Sequence, residues 1–311
     1  MADIRIVRKA FGGNVMKFGV VGLGSMGYGM AASLLRGGHQ VWGSDVNAAA
    51  VARLVGEGAS DGLASALPEL DALVVVVLNA AQVEEVLFGA ASSLAGLRKG
   101  AVVVCCVTVA PEFARQMAAR CEQAGVLYLD APISGGSVKA AVGRLSIMAS
   151  GTPAAFAAAR PVLQATAEKV FELGDSAGMG SAMKAVNQML AGTHIAAMAE
   201  AITFGITQGI APETFLKVIP DCAGTSWMLE NRAPHIVAGD YTPRSAVDIW
   251  PKDLGIVLDA AQAAGFDAPL TTAALAQFKA ASAMGLGRQD DAAVAKVYAR
   301  ASGLTLPGEG R

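Results

Sequence analysis

Between residues 17 and 174 the chain alternates short apolar runs with segments of helical period. The apolar runs cover residues 18–21, 40–43, 72–78, 102–107, 126–129, 145–149 and 170–173. They are too short for buried helices, and they are rich in Val and Leu with little polar alternation, which is the pattern of strands covered on both faces. Helical stretches fill most of the gaps, among them residues 26–36, 82–88 and 111–124. Strands and helices in strict alternation fit a parallel sheet with helices on either side, the α/β arrangement.

After Gly174 the strand signal stops. Residues 178–208 form one long helical pattern with few breakers, and the remainder is helical, punctuated by "GIAP", "IPDCAG", "DYTP" and "GFDAP". The expected organisation is therefore an N-terminal extension over residues 1–15, a sheet domain over 16–174 and an all-helical domain over 175–311. The first fifteen residues carry basic side chains but no apolar core of signal-peptide length and no small-residue cleavage site, and Met16 stands directly before the first strand. They read as a loose extension.

Composition narrows the partners. Formal charge is -2 over 311 residues with charges spread along the chain, so there is no basic footprint for nucleic acid or an anionic membrane. The apolar fraction of 53% and mean hydropathy of +0.46 owe much to Ala, and the strongest apolar run, 72–78, is far short of the roughly 20 residues a bilayer span needs. Cys105, Cys106, Cys121 and Cys222 show neither paired spacing nor a neighbouring His at ligand distance. They read as reduced thiols of a cytoplasmic protein, with no metal site expected. Small molecules and further copies of the chain remain as partners; an Ala-rich, apolar helical half favours a homo-dimer or homo-tetramer.

The first strand leads into "GLGSMG", which is Gly22, Leu23, Gly24, Ser25, Met26 and Gly27. With 36 Gly in 311 residues, chance alone supplies about half a match to GxGxxG, so the bare pattern is weak. Its context is strong, because it follows a strand, opens a helix and is succeeded by Asp45 at the end of the second strand. In dinucleotide binding the first Gly makes the tight turn, the second admits the pyrophosphate and the third packs helix on strand. The helix terminus favours the negative phosphates. A carboxylate at position 45 suits the adenosine ribose hydroxyls and repels a phosphate, which predicts NAD over NADP. The fold expected is thus a Rossmann-type doubly wound parallel sheet followed by an all-helical C-terminal domain.

Two further segments carry chemistry. "DAPISGG", residues 130–136, follows a strand; Gly135 and Gly136 can take positive φ and turn successive amides toward one point, where with Ser134 they could hold a carboxylate. Standing alone, the segment reads first as a structural turn. "GMGSAMKAVNQML", residues 178–190, would be any buried helix but for Lys184, Asn187 and Gln188, which project from one face at spacings of three and four. Snorkelling of Lys184 to solvent is the plain alternative.

The glycine loop, "DAPISGG", "GMGSAMKAVNQ" and "KDLGIVLD" occur in the order and approximate spacing of the beta-hydroxyacid dehydrogenase family, which the chain resembles over nearly its whole length from Met16 onward. The resemblance implies a Rossmann domain, a long connecting helix and a helical domain that completes the active site. It implies Lys184 as the catalytic lysine, Ser134, Gly135 and Gly136 at the substrate carboxylate, and Asn187 and Gln188 as substrate-holding amides. It also implies Lys252 closing over the cofactor, with Leu78 and Thr108 beside it; for Thr108 a helix-capping role is the alternative. Hydride transfer from an alcohol needs a group that takes the hydroxyl proton. A free Lys titrates near about 10.4, and burial beside a positive nicotinamide would bring it toward the working range.

"KDLGIVLD" itself reads as an ordinary helix start, with Asp253 complementing the dipole and Asp259 near the face of Lys252. His39, His194 and His235 are widely separated and read as structural; Trp227 and Trp250 read as core or interface residues. Departures from the family pattern bear on the substrate. Gln188 stands where many relatives have a second Asn, Ser245 where an aromatic is common, and Leu78 precedes Asn79 rather than Pro. A smaller, more polar wall suits a polyhydroxylated acid, and several phrases, "NAAQVEEVLFG" among them, are most similar to the branch that oxidises L-threonate to its 2-oxo acid with NAD. 3-Hydroxyisobutyrate and tartronate semialdehyde are alternative substrates within the family. A non-catalytic NAD sensor is the alternative of another class, disfavoured by an intact Lys184, Asn187 and Gln188 stripe.

Overall fold

The computed structural model describes residues 15–309; the expected extension over residues 1–15 lies outside them apart from Val15, which is exposed. The chain divides into two compact units, one ending at Lys184 and the other beginning at Ala185.

In the first unit the strands are β1 (Lys17–Val21), β2 (Gln40–Ser44), β3 (Ala72–Val75), β4 (Val102–Cys105), β5 (Leu127–Asp130), β6 (Ile133–Ser134), β7 (Leu145–Ala149) and β8 (Ala167–Glu172). The helices are α1 (Gly27–Arg36), α2 (Ala48–Gly56), α3 (Leu63–Ala66), α4 (Ala80–Phe88), α5 (Ser93–Gly96), α6 (Pro111–Gln123), α7 (Gly136–Ala141) and α8 (Pro153–Thr166). Strands β2-β1-β3-β4-β5 form an all-parallel sheet in that order, and β6-β7-β8 form a second, mixed sheet. The Val and Leu runs behave as a doubly covered sheet requires. Val74, Val102 and Val104 pack on one face with Met30, Leu34 and Leu145, while Leu73, Val75 and Val103 pack on the other with Leu70, Val83 and Met117.

That topology places the loops. Strand order reverses between β1 and β3, and ligands of open parallel sheets gather at such a switch, beyond the carboxyl ends of the strands. Val21 pairs with Ser44 on one side and Val75 on the other, so the glycine loop, Asp45 and the segment after β3 leave the sheet at the same edge. Several boundaries differ from the apolar runs, β4 stopping at Cys105 and β8 starting at Ala167. Strand β3 stops at Val75, and Leu78 beyond it is 55% exposed. The two-residue β6 is too short to show any periodicity.

The second unit is helical. Helix α9 (Met179–Thr207) runs into it and is followed by α10 (Pro212–Val218), α11 (Trp227–Ala238), α12 (Ile249–Ala263), α13 (Pro269–Ala281) and α14 (Ala295–Ala301). Among the described residues α9 is the one helix long and apolar enough to cross a membrane by length and composition. Its Ile195, Met198 and Ile202 nevertheless lie in the core of this unit with Trp250, Leu254 and Phe278. Trp250 stacks on Phe278 at 5.4 Å, and its indole donates to Asp291 at 3.0 Å; Trp227 is exposed. Buried carboxylates are partnered, as burial demands: Arg232 pairs with Asp291 at 2.5 Å, and His235 Nδ1 lies 2.8 Å from Asp290 Oδ1.

Candidate active site

The glycine loop has the geometry its spacing predicts. Gly22 has φ +92°, and a Cβ there would lie 2.5 Å from the Val76 carbonyl oxygen. A Cβ on Gly27 would lie 1.8 Å from the Gly22 carbonyl oxygen, so helix and strand meet at backbone distance. Gly24 has no atom within 4 Å of its Cβ position and faces open space. Helix α1 has no side-chain cap and no acid in its first turn, so apart from the Tyr28 amide, which donates to the Gly24 carbonyl oxygen at 3.1 Å, its first turn is open to an anion. Asp45 accepts from the Leu23 amide at 2.5 Å and the Asn47 amide at 2.7 Å. Its oxygens keep lone pairs for two ribose hydroxyls. A tight turn, an open middle glycine, uncapped amides and a carboxylate tied to the loop fit a dinucleotide.

Along the same edge, the Leu78 amide donates to Gln82 Oε1 at 2.8 Å. Thr108 follows β4 half-buried, and it does not cap α6, whose N-cap is Ala110 with no side-chain bond. Cys105 and Cys121 are buried; burial raises their thiols to about 11 and about 12, so neither supplies a thiolate nucleophile near neutral pH.

Beyond β5, Gly135 and Gly136 adopt φ of +133° and +73°, with Ser134 half-buried beside them. Lys184 comes to this loop. It is 8% exposed, and its Nζ donates to the Ile133 carbonyl oxygen at 2.9 Å. The ammonium is therefore directed at the chain immediately before Ser134 and does not snorkel to solvent.

In the second unit the remaining candidates form a chain of contacts. The Asn187 amide nitrogen donates to Gln188 Oε1 at 2.8 Å, and Gln188 Nε2 donates to Asp253 Oδ2 at 2.5 Å. Asp253 Oδ1 lies 2.5 Å from Lys252 Nζ. Helix α12 starts at Ile249, before Lys252, and holds no acid in its first turn, so Asp253 does not complement the dipole as expected; 3% exposed, it fixes the amide of Gln188 and meets the ammonium of Lys252. Asp259, by contrast, is exposed. Ser245 is half-buried, with its carbonyl oxygen accepting from the Asp291 amide at 2.8 Å. Sequence reasoning missed Asp253 and Asp130. The first was hidden because its partner is 65 residues away; the second stood in view at the head of "DAPISGG" with no task assigned.

Known proteins are similar to this chain in sequence and fold. The model of the NAD binding domain of 6-phosphogluconate dehydrogenase matches residues 17–174, and that of the NAD-binding region of NADP-dependent 3-hydroxyisobutyrate dehydrogenase matches residues 178–298. An L-threonate dehydrogenase of Escherichia coli strain K12 is 47% identical over 299 residues, covering 95% of this chain and 98% of that protein. The chain belongs to the beta-hydroxyacid dehydrogenase family. An L-threonate dehydrogenase of Cupriavidus necator is 46% identical over 296 residues, covering 94% of this chain and 98% of its own. A crystal structure from Salmonella typhimurium, described as 3-hydroxyisobutyrate dehydrogenase, superposes with a TM-score of 0.86 at 46% identity, covering 91% of this chain and 99% of that one. Membership makes the protein an oxidoreductase of the hydroxyacid dehydrogenase type that uses a nicotinamide dinucleotide.

Proposed function

We propose that this family member oxidises L-threonate at C2 to the 2-oxo acid with NAD, with Lys184 as the general base. The observation that carries the base assignment is the 2.9 Å bond from Lys184 Nζ to the Ile133 carbonyl, which puts a buried amine beside the positive-φ turn at residues 135–136. A bound, oxidised nicotinamide supplies the acceptor for the hydride from C2. The neutral amine of Lys184 takes the hydroxyl proton in the oxidation and returns it in the reverse reduction. Ser134, Gly135 and Gly136 hold the substrate carboxylate through the hydroxyl and turned amides. Asn187, one turn along the same helix face, meets a substrate hydroxyl, and Gln188 holds the Asn187 amide in place.

Gly22, Leu23, Gly24, Ser25, Met26 and Gly27 cradle the pyrophosphate, with Leu78, Thr108 and Lys252 as further cofactor contacts. Substrate choice rests on the L-threonate dehydrogenases at 46–47% identity and on the small Ser245. Because the Salmonella relative carries the 3-hydroxyisobutyrate name at similar identity, the deciding experiment is a rate comparison. NADH formation with L-threonate is expected to exceed that with D-erythronate or 3-hydroxyisobutyrate by at least about tenfold in kcat/KM, a difference of about 1.4 kcal/mol in transition-state binding. Equal or higher efficiency with 3-hydroxyisobutyrate overturns the substrate assignment.

Cofactor preference rests on Asp45, against the NADP-dependent name of the second matching model. A carboxylate facing a 2′-phosphate at about 4 Å repels it by up to about 4 kcal/mol near a protein surface. Asp45→Asn keeps an acceptor for the Leu23 amide and removes the charge. The variant is expected to lower the ratio of NAD to NADP efficiency by about 10- to 100-fold; an unchanged ratio, or a wild type that prefers NADPH, removes this role.

A further inference from the structure

Helix α9 begins on a buried carboxylate. Asp130, at the end of β5, is 1% exposed, and its Oδ2 accepts from the Gly178 amide at 2.9 Å, the Ser181 amide at 2.8 Å and Ser150 Oγ at 3.2 Å. Its Oδ1 accepts from Ser181 Oγ at 2.7 Å. Ser150 Oγ in turn accepts from the Gly180 amide at 2.9 Å. Three orphan amides at the start of the helix are thus satisfied by groups on the sheet, in place of the local side-chain cap most helices use. The contact is tight as well as polar, since a Cβ on Gly180 would lie 2.4 Å from the Met148 carbonyl oxygen and 2.8 Å from that of Asp130. Burial raises the Asp130 carboxyl from its ordinary value, and the bonds from Ser181, Gly178 and Ser150 oppose that rise.

We infer that Asp130 is a positioning residue, one that sets where the amine of Lys184 stands relative to the substrate loop. The inference rests on the proposed role of Lys184 as general base. Asp130 heads the segment that continues through Ile133 to Ser134, Gly135 and Gly136, and its carboxylate grips the helix one turn before Lys184. Lys184 Nζ then returns to Ile133 at 2.9 Å. Loop start to helix start, and helix lysine to loop centre, make a closed ring of contacts within one compact unit. Breaking the first link lets the helix start shift against the loop. A misplacement of about 1 Å at a reacting group costs on the order of 100-fold in rate.

The test uses full-length Ser181→Ala, Asp130→Asn, Lys184→Ala and each of the first two combined with Lys184→Ala, assayed with L-threonate and saturating NAD. Ser181→Ala deletes one of the four bonds, and Asp130→Asn keeps the shape but removes the charge. Each is expected to lower kcat by about 5- to 50-fold while the KM for NAD stays within about twofold. On the Lys184→Ala background neither is expected to lower the residual rate further, because the group they position is gone. A purely structural cap would lower thermal stability and leave kcat per folded enzyme unchanged; that outcome overturns the proposal, as does kcat within twofold of wild type in both variants. Should the Ser181→Ala loss persist in full on the Lys184→Ala background, Asp130 acts on something other than the lysine and the proposal fails. Near-normal activity of Lys184→Ala alone instead defeats the reading of Lys184 as base, a distinct result.

Discussion

Lys184→Ala is expected to lower kcat with L-threonate by about 1000-fold, within the range that a positioned acid or base contributes, while NAD binding stays within about twofold. The expectation follows from where the side chain is. An amine 8% exposed and bonded to the Ile133 carbonyl at 2.9 Å can, in the proposed role, exchange a proton with a substrate whose carboxylate is held by the next three residues, and truncation removes that amine. Part of any loss could come from leaving the Ile133 carbonyl unpaired in a buried place, at about 1–3 kcal/mol. Lys184→Arg separates the two causes: a guanidinium can still donate to that carbonyl but cannot deprotonate near neutral pH. It should therefore fold like the wild type and remain inactive. Initial rates of NADH formation with isothermal titration of NAD check both statements. Activity of Lys184→Ala within a few-fold of wild type would sink the assignment of the base.

The sheet was legible because its signal is local. Val102 to Cys105 and Ala72 to Val75 are buried on both faces, so each reads as an unbroken apolar run whatever its neighbours are. The turns were legible for a similar reason: Gly22, Gly135 and Gly136 do adopt the positive φ their residue type allows, and that allowance belongs to the residue itself. What could not be read lies in pairings across the chain. Lys184 meets Ile133 from 51 residues away, Ser181 meets Asp130 from 51, and Gln188 meets Asp253 from 65. Nothing in a linear string distinguishes an Asp that opens a turn from one that seats a distant helix, because both favour the same small-residue surroundings. Strand β6 was lost for the same reason, since two residues gain strand character only from the partner they pair with. The comparison with relatives supplies the family. Within the first unit Asp130 bonds the start of α9, and within the second Asp253 bonds Gln188 and Lys252.

Gly27→Ala is expected to abolish measurable NAD binding, raising Kd at least about 100-fold, and to destabilise the fold by about 3 kcal/mol, the upper range for overpacking against backbone. A Cβ at 1.8 Å from the Gly22 carbonyl oxygen cannot be relieved by a rotamer change, because both sides of the contact are main chain. Helix α1 must instead move off β1, carrying with it the amides proposed to face the pyrophosphate. Gly24→Ala provides the contrast. Its Cβ would meet nothing within 4 Å, so thermal stability should stay within about 0.5 kcal/mol of wild type, as for an open surface site. Any loss of NAD affinity in that variant reports the approach of the ligand itself. Thermal melts read the first effect and calorimetric titration the second. Normal stability of Gly27→Ala would contradict the packing role, and wild-type NAD affinity in Gly24→Ala would place the pyrophosphate elsewhere than over the middle glycine. The pair thus separates two tasks that the glycine spacing alone presents as one, closing helix on strand and admitting phosphate to backbone.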